Sequence, residues 1–232
     1  MSFSDYGNGF QKSAPIVTNL IIANVAVFIA QYIAGGLQPG NFITDTFALH
    51  YYKADVYKPW QLLTHIFMHG GILHLLLNMY GLYMFGSIIE RLWGPKKFLL
   101  FYFICGFGAA LAQMAFYAFV FKDYAPALFN SSEVELYKTA FNNNIAVGAS
   151  GAIMGLLVAY GYLFPNTEMM IMPIPIPIKA KWLVMGIIAI DLFSGFANRA
   201  GDNTAHFAHL GGALTGFLLV FYWNKTNKQT FY

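Results

Sequence analysis

Six times along this chain a run of mostly apolar residues is long enough to cross a lipid bilayer as a helix, and nothing else in the sequence restricts the fold as strongly. The runs cover about residues 16–34, 72–89, 98–121, 146–164, 182–197 and 204–223, the fifth being short. A helical span needs roughly 17–25 such residues, because hydrocarbon offers no water to bare backbone N–H and C=O groups. The expected fold is therefore all-α: a polytopic membrane bundle of six transmembrane helices. Residues 16–223 form its one domain, with residues 1–15 and 224–232 as tails.

Composition narrows the class further. Hydrophobic residues make up 58% of the chain and charged residues 10%, against about 25% charged in a soluble domain. A formal net charge of +3 is too small, and too scattered along the sequence, to suggest a nucleic-acid surface, and no nucleic-acid partner is expected. The single cysteine, Cys105, lies in an apolar run and excludes a disulfide-stapled secreted domain. The first apolar run follows a polar start and lacks a small-residue cleavage site, so it is expected to stay as a membrane anchor.

With an even number of spans both termini share one side, and lysine and arginine choose it. Lys12, Arg91, Lys96, Lys97, Lys179, Lys181, Lys225 and Lys228 fall on the side of the termini. Lys53, Lys58, Lys122, Lys138 and Arg199 fall on the other, so cytoplasmic termini are expected. The long outer segment 35–64 carries Tyr51, Tyr52, Tyr57 and Trp60 and is expected to lie partly in the interface. Pro173-Ile-Pro-Ile-Pro177 cannot be helical, since each proline lacks a donor and restrains the residue before it.

Polar side chains inside spans are costly and default to functional candidates. In the fourth run, Gly151 and Gly155 form a small-residue surface beside Ser150. In the sixth, Ala208, Gly212 and Gly216 form another beside His209. At about 1.5 Å rise per residue, Ser150 and His209 fall at similar depths from the outer ends of their runs, so they can meet. A serine hydroxyl needs an adjacent base, and a neutral imidazole is the usual one. In the second run His74 and Asn78 lie at i and i+4 on one helix face, both able to donate to an oxyanion, as is the Ser150 N–H. His65 and His69 lie four residues apart, but no acid or cysteine completes a metal set, and no metal or cofactor is expected.

Through Trp60, His65, His69, the His74-xxx-Asn78 pair, Gly148-Ala-Ser150-Gly151 and Ala208-His209-Leu-Gly-Gly212-xxx-Gly216, the chain resembles the rhomboid family of intramembrane serine proteases. The resemblance implies a six-helix bundle with a water-filled cavity, in which a Ser–His dyad cleaves transmembrane protein substrates within the lipid bilayer. It implies Ser150 as nucleophile, His209 as base, and His74, Asn78 and the Ser150 N–H as oxyanion donors, with His206 a neighbour. Two positions depart from the family's habit: Met154 stands where an aromatic residue is common, and Gln61 where arginine follows the tryptophan. Gln61 is expected to weaken any loop-anchoring ion pair that the resemblance implies.

Asp191 could orient His209, and Asp202 is a more distant candidate, but a hydrogen bond near the end of its own helix is the expectation for Asp191. Two other functions remain open to the sequence. One is a catalytically silent rhomboid-like protein that binds membrane helices for quality control. The other is a small transporter, which should carry paired half-helices or intramembrane carboxylates. A bacterial inner membrane is the simplest location.

Overall fold

The computed structural model describes residues 14–38, 40–123, 129–171, 174–197 and 205–226. Among the described residues the helices are, in chain order, α1 (Pro15–Ile33), α2 (Phe42–Phe47), α3 (Gln61–Thr64), α4 (Ile72–Trp93), α5 (Pro95–Val120), α6 (Ser131–Asn143), α7 (Ser150–Leu163), α8 (Ala180–Ala197) and α9 (His206–Thr226). Four short strands accompany them: β1 (Leu49–His50), β2 (Ile145–Ala146), β3 (Glu168–Ile171) and β4 (Ile174–Lys179). The six apolar runs correspond to α1, α4, α5, α7, α8 and α9. The parts of the two expected tails at 1–13 and 227–232, and Asp202, lie outside the described residues.

Four of these helices, α1, α4, α5 and α8, are long and apolar enough to cross a membrane. The other two differ for a physical reason. Helix α7 has only 14 residues, about 21 Å of rise, and is buried along most of its length, so its neighbours rather than lipid surround it. Helix α9 has 21 residues, but histidines and glycines dilute its apolar side chains.

Close packing of α7 and α9 follows from their glycines. A Cβ on Gly212 would overlap the Gly151 carbonyl, and one on Gly216 would stand 2.6 Å from the Gly155 Cα. The two small-residue rows expected from sequence therefore do face each other, backbone to backbone. A third row on α5 was not foreseen: Gly151 abuts Ala109, Gly155 abuts Cys105, and Gly211 abuts Ala112.

Chain breaks have equally local causes. Gly94, at φ +80°, ends α4, and Pro95 opens α5 in the same stroke. Ala14 cannot cap α1 with its side chain; the buried carboxylate of Glu90 does so instead, accepting the Ile16 and Val17 N–H groups at 2.9 and 2.8 Å. The proline-rich segment is extended as expected: β4 pairs antiparallel with β3, with Pro177 opposite Met170 on a two-stranded ribbon that leaves each strand an open edge. Helix α6 escaped the sequence reading, although Asn130 and Glu133 form a capping box at its start.

Segment 35–64 folds on itself through one buried side chain. Gln61 Nε2 donates to the Asp45 and Val56 carbonyls at 2.8 and 3.1 Å, while its Oε1 accepts the His50 N–H at 3.3 Å. Gln61 carries no charge for an ion pair, and its neutral amide bonds three backbone groups of the segment instead. Trp60 Nε1 and the Thr64 hydroxyl add bonds to the Thr46 and Phe47 carbonyls.

Candidate active site

Ser150 owes its position to the extended segment before it. Strand β2 pairs with β1, Leu49 opposite Ala146, and the Gly148 N–H donates to the His65 carbonyl at 2.9 Å. Gly148 has φ +120°, and a Cβ there would stand 2.8 Å from His74 Nε2, so both backbone and space demand glycine. Helix α7 then begins at Ser150 itself, whereas the sequence reading set the serine about a turn inside a helix starting near residue 146. The first-turn N–H groups have no intrahelical acceptor, and Ala149 supplies no side-chain cap. The partial positive end of α7 therefore lies beside the hydroxyl.

Helix α9 brings His209 to that hydroxyl. Ser150 Oγ and His209 Nε2 are 2.8 Å apart, a hydrogen bond in which the hydroxyl can donate to the ring. The glycine contacts set this distance, because they allow α7 and α9 to approach to backbone contact. On the other side of the ring, His209 Nδ1 lies 3.2 Å from both carboxylate oxygens of Asp191. His206 Nδ1 lies 2.7 Å from Asp191 Oδ1. The hydrogen bonding expected of Asp191 near the end of its helix joins two helices: the carboxylate reaches from α8 to two imidazoles of α9.

Across the cavity, His74 and Asn78 share a face of α4. His74 Nδ1 accepts the Gly70 N–H at 3.2 Å, which leaves the ring's proton on Nε2, the nitrogen packed against Gly148. Asn78 Nδ2 donates one proton to the His74 carbonyl at 2.9 Å. A cavity of about 920 Å³ is lined by Ser150, His209, His74, Asn78, Met154 and Gln113, among others. Met154 also packs with Val184 and Ala213, so the thioether closes one wall of the cavity with apolar surface.

His65 and His69 do not share a helix turn, because α3 ends at Thr64 and a tight turn, His65–Phe67, intervenes. The two rings instead donate to backbone, His65 Nδ1 to the Gln61 carbonyl at 3.0 Å and His69 Nδ1 to the Phe67 carbonyl at 3.3 Å. Burial lowers the pKa of each to about 4, so both are neutral at pH 7. Sequence reasoning missed Gln31, whose amide clamps the His69 backbone: Nε2 donates to the carbonyl at 2.7 Å and Oε1 accepts the N–H at 3.2 Å.

One trio, Asp191, His206 and His209, gathers its ligand atoms within 4.8 Å. Donor nitrogens and oxygens around a tetrahedral zinc lie about 3.3 Å apart, given bonds of roughly 2.0 Å. The 2.7 Å between His206 Nδ1 and Asp191 Oδ1 is a hydrogen-bond separation instead.

Comparison with known proteins agrees with this architecture. The family described as "Rhomboid domain" matches residues 57–225. Rhomboid protease GluP of Bacillus subtilis (strain 168) is 32% identical over 210 residues, 90% of this chain and 35% of its own length. Rhomboid protease AarA of Providencia stuartii is 28% identical over 214 residues, 88% of this chain and 70% of its own. RHOMBOID-like protein 6, mitochondrial, of Arabidopsis thaliana is 32% identical over 165 residues, 71% of this chain and 43% of its own. The chain thus spans less than half the length of GluP and of the Arabidopsis protein. With a helical, apolar bundle and a match over most of its length, the chain is a multi-pass membrane protein that belongs to the rhomboid family.

Proposed function

We propose that the chain is a serine endopeptidase that hydrolyses peptide bonds in or near the transmembrane segments of membrane proteins. The observation that carries this reading is the 2.8 Å contact between Ser150 Oγ and His209 Nε2 at the wall of a large cavity. His209 takes the hydroxyl proton, Ser150 Oγ bonds to the scissile carbonyl carbon, and the carbonyl oxygen becomes an oxyanion. His209 then gives its proton to the leaving amine as the C–N bond breaks. Water, deprotonated by the same ring, releases the acyl group. The Ser150 N–H, His74 Nε2–H and the second amide proton of Asn78 surround the space where the oxyanion forms, and donors of this kind typically supply a few kcal/mol each.

A helix hides its carbonyls in hydrogen bonds, so substrates with small or helix-breaking residues at the scissile bond should be cut most readily. The basic residues beside α4, α5 and α9 support cytoplasmic termini, in the inner membrane of a bacterial cell. The chemistry requires no cofactor and no metal ion.

The test is cleavage of a fluorescent single-span substrate by detergent-purified protein, with labelling by a fluorophosphonate probe. The native chain should cleave and label, and Ser150→Ala should do neither. A folded native protein that does neither on varied substrates would indicate a silent helix-binding rhomboid instead.

A further inference from the structure

Helix α8 presents large apolar side chains outward, Ile190 and Phe193 among them, and buries only three residues: Ala180, Val184 and Asp191. A lone carboxylate buried in an apolar helix is costly unless it is hydrogen-bonded. Here both oxygens of Asp191 lie 3.2 Å from His209 Nδ1, and His206 Nδ1 grips Oδ1 from the side at 2.7 Å. A carboxylate has no proton to give, so the proton in the His209 contact sits on Nδ1. A neutral ring protonated there carries its lone pair on Nε2, the nitrogen 2.8 Å from Ser150 Oγ.

We propose that Asp191 positions His209 as the proton acceptor of Ser150, fixing ring tautomer and orientation, so that the site works as a line of three side chains rather than two. The inference rests on the proposed serine chemistry and assigns Asp191 no contact with substrate. Its second effect falls in the step where His209 becomes an imidazolium, which an adjacent carboxylate stabilises. His206, holding Oδ1, keeps the carboxylate aimed.

A merely structural bridge between α8 and α9 makes a different prediction, since asparagine preserves the shape of aspartate and can still bond two rings. We would compare the native full chain with Asp191→Asn and Asp191→Ala in detergent. The measurements are fluorophosphonate labelling rate, kcat and KM on the single-span substrate, thermal midpoint, and ¹⁵N shifts of the histidine ring nitrogens. Positioning predicts kcat and labelling slowed roughly 10²-fold or more in both variants, with KM within about twofold. It also predicts that neutral His209 in the native chain carries its proton on Nδ1 and loses that preference in Asp191→Ala. Labelling of Asp191→Asn at the native rate would overturn the proposal, as would a native His209 protonated on Nε2. The ring measurement needs no activity and no variant. An inactive native chain would therefore sink the serine-protease reading while the ¹⁵N shifts still decided the role of Asp191.

Discussion

The two walls of the cavity are held by different forces. On the Ser150–His209 wall, α7 and α9 meet through bare backbone at Gly151, Gly155, Gly212 and Gly216, so dispersion and close approach set the geometry. On the His74–Asn78 wall, α4 and segment 35–71 are positioned by polar side chains bonded to backbone, chiefly Gln31, Gln61 and His65. The first wall should tolerate no added volume, and the second no lost hydrogen bond.

The largest effect is expected where that contrast is sharpest. Gly212→Ala puts a methyl group into the Gly151 carbonyl, and no flexible side chain is there to yield. The helices must part, at a cost of about 3 kcal/mol or more, at the upper end for overpacking. Parting also lengthens the Ser150–His209 contact, so fluorophosphonate labelling should fall at least about 100-fold with the thermal midpoint. Gly186, around which nothing lies within 4 Å, is the control: Gly186→Ala should label at the native rate. Native labelling by Gly212→Ala would break the idea that backbone contact holds this wall.

The polar wall is tested by Gln61→Leu, which keeps volume and removes three bonds to backbone groups, one of them buried and two part-buried. Leaving those groups without partners should cost roughly 2–3 kcal/mol. The loss should appear as faster hydrogen exchange in residues 41–64, with α7 and α9 unchanged. Equal loosening of both walls would mean that they are one cooperative unit.

The contrast also explains what the sequence made legible. Small-residue rows at four-residue spacing announce where helices touch, so the meeting of Gly151 with Gly212 and of Ser150 with His209 could be read in advance. The polar wall could not, because its bonds join distant residues by no periodic rule. Gln31 and His69 are 38 residues apart and lie in separate elements. The anchoring role of Gln61 was not legible either, because one neutral amide bonded to three backbone groups leaves no periodic signal. The start of α7 was misread because Gly148, at φ +120°, lets an extended strand turn into the helix just before the serine. The contact of Asp191 with α9 was not legible, because nothing local shows which way its carboxylate faces.

Proton titration gives the smallest but most selective difference between the walls. Burial lowers His65 and His69 to about 4 in the folded protein, against about 6.5 unfolded. Burial lowers His50 as well. Because the folded state holds these rings neutral, the unfolded segment binds more protons between pH 4 and 6.5. Stability is then complete above about pH 6.5 and is lost as pH falls toward 4. By pH 5.5 the loss should be about 1 kcal/mol for each of His65 and His69. No histidine takes part in the glycine contacts between α7 and α9, so exchange at Gly151–Gly155 should change less than exchange in residues 49–70. Replacing His65 with glutamine keeps a side-chain donor for the Gln61 carbonyl and removes the titrating group, so it should remove at most about half of the acid sensitivity, His69 and His50 keeping theirs. An acid response of equal size in both walls, or one unchanged in His65→Gln, would show that these rings do not set it.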